Sequence, residues 1–510
     1  MPLSAVPSRG SRVAVIGAGV AGLSTAKVLT QAGHLVTVFD KAPDVGGVWS
    51  RTRRYPGVTT QSPKEQYALS DYPMPADFPE WPTGAQIQEY LAGYAAHFGL
   101  ERLLRLDTEV SSVVPAGDGW RVTTAAGTER VDRVVVANGV FCEPSVPEYA
   151  GLAEFTAAGG RLCAGSEFNE VEQGRDKHVL VVGYGKTACD IAVATSGVAA
   201  STSVVARQLL WKIPRRIAGV LNFKLLLLTR LGEALFRYLR LRGFEKFLHG
   251  PGDGPRRRLL NSLGPVSVRQ LGLGRLDLVP RGSMEDIVRG AIGLVTEGFF
   301  EQVADGRIAV HKDTTIVRLS ALDGKPYAEL ANGTRLPADL VVCATGYTQG
   351  VPFLPEAVRA RVLDERGNFA LYRQIQPVDV PGLYFNGYNS SFFSPLNAEM
   401  AAVWIAADLA GLTPKVSDVD KQAAITAQLA FMDEATSRHR CRGTKIIPFS
   451  IHNVDEMLDD LDLNLGRATR FRHWLNPVNP AAYRDVTPRL LSRLASLSPA
   501  EDPALEKRLA

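Results

Sequence analysis

The chain has 510 residues, with 57 basic and 53 acidic side chains for a net charge of +4, and is 45% hydrophobic and 22% charged. This is the make-up of an ordinary globular enzyme of two or three domains, and the charge balance gives no reason to invoke nucleic acid. No run of about 20 apolar residues is present, and the polar start (Ser8, Arg9, Ser11, Arg12) lacks the apolar stretch of a secretory signal, so a cytoplasmic protein without a membrane span is expected. Cys142, Cys163, Cys189, Cys343 and Cys441 are scattered, with no CxxC pair, which speaks against a dithiol reductase and for reduced thiols. The histidines show no HxxxH spacing, so no metal site is expected.

The first predicted element is an apolar run over 13–16, a parallel strand buried on both faces. It enters Gly17-Ala18-Gly19-Val20-Ala21-Gly22. In such a run the first glycine allows a tight turn, the second lets the backbone approach a pyrophosphate, and the third lets the next helix pack on the strand. Leu23, Ala26, Leu29 and Thr30 continue at helical spacing, so a helix N-terminus points its free amides at the phosphates. A second strand over 35–39 ends in Asp40, followed by Lys41. A carboxylate there can accept both ribose hydroxyls of an adenosine with no 2′-phosphate.

Residues 55–100 are rich in proline and aromatics and end in a helix around 87–98. A strand over 130–137 follows, running into Asn138-Gly139.

The nucleotide pattern then recurs. A strand over 179–182 enters Gly183-Tyr184-Gly185-Lys186-Thr187-Ala188, with alanine as an accepted third member. The next strand, over 203–206, ends in Arg207. The counterpart of Asp40 is thus a cation, which can grip a 2′-phosphate bidentately. Lys212, Arg215 and Arg216 lie close by and either add to that anion site or form a solvated patch. The charge contrast predicts FAD or NAD at the first site and NADPH at the second.

Leucines at 221, 225, 228, 231, 235 and 239 fall at spacings of three and four, with Arg230, Glu233, Arg237 and Arg240 on another face. The expectation is a basic amphipathic helix in 217–263, either packed on the protein's own surface or contacting a membrane periphery through 217–248, or serving as a lid over a hydrophobic tunnel. The stretch 251–258 (PGDGPRRR) is expected to be a flexible basic loop. A strand over 340–344, entering Thr345-Gly346-Tyr347, is expected to return the chain to the first domain. The loop 389–397 (NSSFFSPLN) either lines the substrate side of the site or is an ordinary surface loop.

Together these motifs resemble the class B flavin-dependent monooxygenases, the flavin-containing monooxygenase family, over most of the chain. The two glycine fingerprints carry the likeness, with Gly46-Gly47-Val48-Trp49 similar to the family's GG-x-W flavin motif and Ala344-Thr345-Gly346-Tyr347 to its ATGY linker. Residues 55–73 resemble the family's segment beside the flavin ring, and Tyr184, Lys186 and the stretch 221–236 look most like its bacterial and plant-type branches. The family's FxGxxxHxxxF segment is altered: Gly160 and Phe168 fit, whereas Ala158 and Ala164 replace Phe and His. A Baeyer–Villiger enzyme usually carries Trp where Phe168 stands. Gln61 matches an Asn that holds the oxygen adduct in many animal-type members.

The resemblance implies an α/β fold of two Rossmann-like dinucleotide-binding domains, the NADPH domain inserted in the FAD domain. The expected division is 1–165 and 331–510 for the FAD domain and its C-terminal cover, with 166–330 for the insertion. It implies FAD contacts at Gly17, Gly19, Val20, Ala21, Gly22, Asp40, Lys41, Gly47, Val48, Trp49, Gln61, Val110, Ala137, Asn138, Gly139, Thr345, Gly346 and Tyr347, with Gln61 also catalytic. NADPH contacts are implied at Gly183, Tyr184, Gly185, Lys186, Thr187, Ala188 and Arg207. The implied chemistry is NADPH- and O2-dependent oxygenation of a small organic substrate at N or S through a flavin C4a-(hydro)peroxide. Baeyer–Villiger oxidation of ketones, and an NADPH oxidase or flavin reductase serving a partner, are the alternatives. A homodimer is one reading of the oligomeric state.

Overall fold

The computed structural model describes residues 10–282, 293–389, 392–436 and 450–497. Ser8, Arg9, Ser390, Ser391 and Cys441 lie outside them. Two five-stranded parallel sheets organise the molecule. The first runs, in spatial order, Leu383–Phe385, Arg133–Val136, Arg12–Ile16, Leu35–Phe39 and Leu104–Arg105. The second runs Ile308–Lys312, Ser201–Ala206, His178–Val182, Leu340–Cys343 and Arg161–Ala164. In both, valine-rich strands buried on both faces sit at the centre, as a sheet covered on two sides requires. The second sheet lies in the sequence between two adjacent strands of the first, so it is inserted in it.

Helix Val20–Gln31 follows the first strand and packs against the apolar helix Ser394–Leu409, burying Leu23, Val28, Met400 and Trp404 in one core. A three-stranded antiparallel meander flanks each fold, Val110–Ala116 to Val131 on the first and Ile316–Leu322 to Pro337 on the second.

The structure corrects several expectations. The single strand expected over 130–137 is two elements, Gly127–Val131 in the meander and Arg133–Val136 in the main sheet. They part at Asp132, whose carboxylate accepts the Arg12 N–H at 2.7 Å. The strand Leu340–Cys343 does not return the chain to the first domain. It pairs with His178–Val182 and Arg161–Ala164, so the second sheet takes in 161–164 and 340–343, outside the expected limits of 166 and 330. The return comes a few residues later, where Tyr347–Thr348 pairs antiparallel with Glu143–Pro144, the outgoing strand.

The amphipathic helix expected in 217–263 is not one helix. The chain forms a small hairpin (Arg216–Ile217 with Leu221–Asn222) and short helices Lys224–Leu227, Arg230–Ala234 and Phe244–Leu248. Thr229 caps and restarts the helix through the Gly232 N–H, and Gly243 sits at φ +49°, so the leucines face different partners. The basic loop expected at 251–258 instead opens an 18-residue helix, Asp253–Gln270, with Asp253 in its first turn paired to Arg256 and Arg257.

Candidate functional site

The first cradle is built where strand Arg12–Ile16 turns into helix Val20–Gln31. Gly17 adopts φ +112°, and a Cβ on it would stand 2.3 Å from the Ala137 carbonyl oxygen. A Cβ on Gly22 would stand 1.8 Å from the Gly17 carbonyl, so the helix can approach the strand only as glycine. A Cβ on Gly19 would stand 3.5 Å from the Gly47 Cα, so the GG-x-W turn lies against the fingerprint. Asp40 closes the turn: one carboxylate oxygen accepts the Ala18 N–H at 2.6 Å and the other the Ala42 N–H at 2.8 Å. Burial raises its pKa while the two amides pull the other way.

A cavity of about 450 Å³ opens on this cradle. It is lined by Gly17, Gly19, Val20, Ala21, Asp40, Lys41, Gly47, Val48, Trp49, Val110, Ala137, Asn138 and Gly139, all expected from the sequence. Gly22 sits behind it as the packing glycine. Asn138 is held from both ends, donating to the Gly350 carbonyl at 2.8 Å and accepting the Tyr388 hydroxyl at 2.6 Å. The Trp49 indole donates to the Tyr67 hydroxyl at 3.1 Å, and burial pushes that phenol up to about 12.

Asn389 and Ser394, from the loop expected on the substrate side, line it too, whereas sequence reasoning missed Tyr67, Cys142 and, above all, Arg53. This guanidinium lines the cavity near Asp40 and donates to the Phe141 carbonyl at 2.5 Å. No spacing marks an arginine in a loop as a site residue; only its place four positions after Trp49 hinted at it.

Gln61 does not line this cavity. Its carbonyl accepts the Leu294 N–H at 3.4 Å, facing the second fold. Thr345, Gly346 and Tyr347 do not line it either. They form the crossing between the folds, with the Thr345 hydroxyl on the Ser145 carbonyl and the Tyr347 ring edge-on to Phe141 at 5.6 Å.

The second cradle repeats the first. Gly183 has φ +124° and its Cβ would stand 2.6 Å from the Ala344 carbonyl, while a Cβ on Gly185 would meet nothing within 4 Å. That open side faces the N-terminus of helix Lys186–Thr195. The residues of this loop also serve the interior. Tyr184 is buried edge-on to Phe299 at 5.9 Å, and Ala188 is buried beneath the turn. The Lys186 ammonium lies 2.6 Å from both oxygens of Asp190, which also accepts the Thr296 hydroxyl at 2.5 Å and the Tyr55 hydroxyl at 3.3 Å. Burial lowers the Lys186 pKa, opposed by the Asp190 charge.

The basic residues after this fold separate clearly. Lys212 is buried and donates to the Tyr184 carbonyl at 2.7 Å. Arg215 pairs with Glu297 at 2.9 Å and donates to the Thr59 hydroxyl at 2.9 Å. Arg216 lies 3.7 Å from Glu80. Arg207, exposed at the end of strand Ser201–Ala206, has no ion-pair partner among the described residues. It alone of the four is left for an external anion. The altered linker lies beside this fold, with Phe168 buried against the Tyr184–Ala188 core.

Two glycine cradles on two parallel sheets, one ending in a carboxylate and the other in a guanidinium with no ion-pair partner among the described residues, are the arrangement of an oxidoreductase of the two-dinucleotide class. Residues 10–248 match the family model of flavin-binding monooxygenase-like proteins. Flavin-containing monooxygenase 1 of Homo sapiens is 28% identical over 388 residues, 72% of this chain and 67% of that protein. Probable flavin-containing monooxygenase 1 of Arabidopsis thaliana is 28% identical over 531 residues, 90% of this chain and 93% of that one. A cyclohexanone-bound structure of cyclohexanone monooxygenase superposes with a TM-score of 0.67 at 18% identity, over 88% of this chain and 97% of that chain, which speaks to the fold. These likenesses support a class B flavin monooxygenase, similar to the flavin-containing monooxygenases. It is an FAD- and NADPH-dependent monooxygenase that uses O2 and a small-molecule substrate.

Proposed function

We infer that the enzyme oxygenates a small organic substrate at nitrogen or sulfur, with FAD in the first cradle and NADPH in the second. The assignment of cofactors rests on one observation: Asp40 closes the first cradle, and Arg207, free among the described residues, closes the second. FAD, when bound, supplies hydride acceptance from NADPH and activation of O2. The chain's residues place it. The Gly17–Gly22 turn admits the pyrophosphate to the helix N-terminus, Asp40 takes the ribose, and Trp49, Tyr67 and Asn138 wall the cavity. Net, substrate, O2, NADPH and a proton give oxygenated substrate, water and NADP+.

The protein's task is placement and exclusion of water, which is why no catalytic triad or carboxylate pair is needed. Phe168, where a Baeyer–Villiger enzyme usually has Trp, favours heteroatom transfer. The test is product analysis with amines, sulfides and ketones alongside NADPH consumption and peroxide release. One N-oxide or sulfoxide per NADPH is expected. Lactones or esters from ketones alone would establish Baeyer–Villiger chemistry instead, and peroxide with no oxygenated product would establish an oxidase.

A further inference from the structure

Three titratable side chains that the chemistry above does not use meet behind the first cradle. Lys27, on helix Val20–Gln31, is 1% exposed, and Glu399, on helix Ser394–Leu409, is 0% exposed. The Lys27 ammonium pairs directly with Asp71 and lies 3.9 Å from a Glu399 oxygen. The Ser70 N–H donates to one Glu399 oxygen at 2.9 Å, and the Ser70 hydroxyl to the other at 2.7 Å. From the far side, Tyr90 of helix Gly84–His97 accepts the Leu69 N–H at 2.9 Å and donates to the Tyr72 carbonyl.

Each partner leads to a different wall of the cavity. Helix Val20–Gln31 lines it with Val20 and Ala21, and segment 67–72 with Tyr67. Helix Ser394–Leu409 lines it with Ser394 and with Ala398, the residue before Glu399. The three walls are therefore tied together at one buried point.

The charges at that point do not balance, because one ammonium faces two carboxyl groups. A second anion out of water is costly, so one carboxyl keeps its proton. Asp71 touches the ammonium and its side chain is 26% exposed, whereas Glu399 is sealed and farther away. Burial raises the Glu399 pKa and the Asp71 charge adds to that, against the pull of Lys27 and the Ser70 bonds. Tyr90 and Tyr94, which face both carboxyl groups from helix Gly84–His97, are themselves pushed up by burial and stay neutral.

We propose that Glu399, as a neutral acid seated on Ser70, is a positioning residue of the cavity: it locks helix Ser394–Leu409 to the 67–72 wall and so sets how tightly the flavin is held. The inference rests on FAD occupying the first cradle. A glutamine can make both Ser70 bonds, its carbonyl accepting the N–H and its amide donating to the hydroxyl, whereas alanine can make neither. An acid whose pKa is raised on folding contributes most at low pH, and its contribution fades as pH rises from the unfolded value near 4.5 through the folded one.

The test is the rate of FAD release from the full-length holoenzyme, read by recovery of flavin fluorescence on dilution between about pH 5.5 and 9.5. At the acid end Glu399→Gln should release FAD within about twofold of the unaltered protein, and Glu399→Ala at least about tenfold faster. Towards the alkaline end release from the unaltered protein should accelerate several-fold, and Glu399→Gln should lose that acceleration. Cooperative melting of each variant separates these effects from misfolding. Glu399→Gln as leaky as Glu399→Ala would overturn the proposal, because an anion would then be required. So would FAD retained by Glu399→Ala, or parallel pH profiles for Glu399→Gln and the unaltered protein. An unaltered chain that holds no FAD would overturn the cofactor assignment itself, and that result is seen before any variant is compared.

Discussion

At Arg207 the local chemistry is simple. It is exposed at a strand end with no described carboxylate to satisfy it, whereas Lys212, Arg215 and Arg216 are all engaged by the protein. Arg207→Ala should therefore raise the KM for NADPH far more than for NADH, a loss on the order of 1.5–3 kcal/mol for one charge-assisted bond. Equal effects on both cofactors in steady-state kinetics would remove the case for 2′-phosphate recognition. Gly22→Ala places a Cβ 1.8 Å from the Gly17 carbonyl, so the helix must back away from the strand. The expected result is protein purified with little FAD and destabilised by about 1–3 kcal/mol, read by flavin absorbance and thermal melting. Such positions are legible in sequence because backbone geometry admits only glycine there. Arg53 was not, because an arginine in a loop acquires its role only when the fold carries it to the cavity wall.

At the level of elements, the leucine spacing in 217–263 misled because period alone does not say whether one helix continues. Thr229 and Gly243 interrupt it: Leu228 is buried in the core of the first fold, Leu235 packs with Phe236, Tyr238 and Leu260, and Leu221 and Leu225 stay exposed. What anchors the pieces is an ionic clamp. The His452 ring, on helix Ser450–Leu461, lies 2.5 Å from Glu233 and 2.7 Å from Glu245 and stacks on Tyr238 at 4.4 Å. Burial alone would lower its pKa, but the two carboxylates raise it to about 10. A pKa raised on folding gives stability that is complete below the unfolded value near 6.5 and fades as pH climbs towards 10. Melting temperature should fall across that window in the unaltered enzyme, and His452→Gln should flatten the fall. Parallel profiles for the two proteins would show that the clamp does not carry it.

On the scale of the whole molecule, both folds could be read from the sequence, but not which sheet owned each strand. Strands 133–136 and 340–343 are alike in composition, and nothing local to Leu340–Cys343 tells a parallel strand which sheet to join. The folds are tied across their boundary by Asp190, which gathers Lys186 and Thr296 from one side and Tyr55 from the other. Asp190→Ala strands a nearly buried ammonium, with an expected loss of about 3–5 kcal/mol in thermal or denaturant unfolding. A change within about 0.5 kcal/mol would mean that water replaces the carboxylate without strain.

The paired strands Glu143–Pro144 and Tyr347–Thr348 have a consequence for how such a protein can be assembled from parts. The way into the second fold and the way out of it lie side by side, with the Ser145 amide 2.9 Å from the Gly346 carbonyl. Strands Arg133–Val136 and Leu383–Phe385 meanwhile pair in register as if nothing stood between them in the sequence. Residues 145–346 thus enter and leave through a single doorway, the arrangement under which one domain can be spliced into another without disturbing a strand of its host. Exchange of this cassette for that of a relative would give the first fold a new second cradle while leaving its own sheet unbroken.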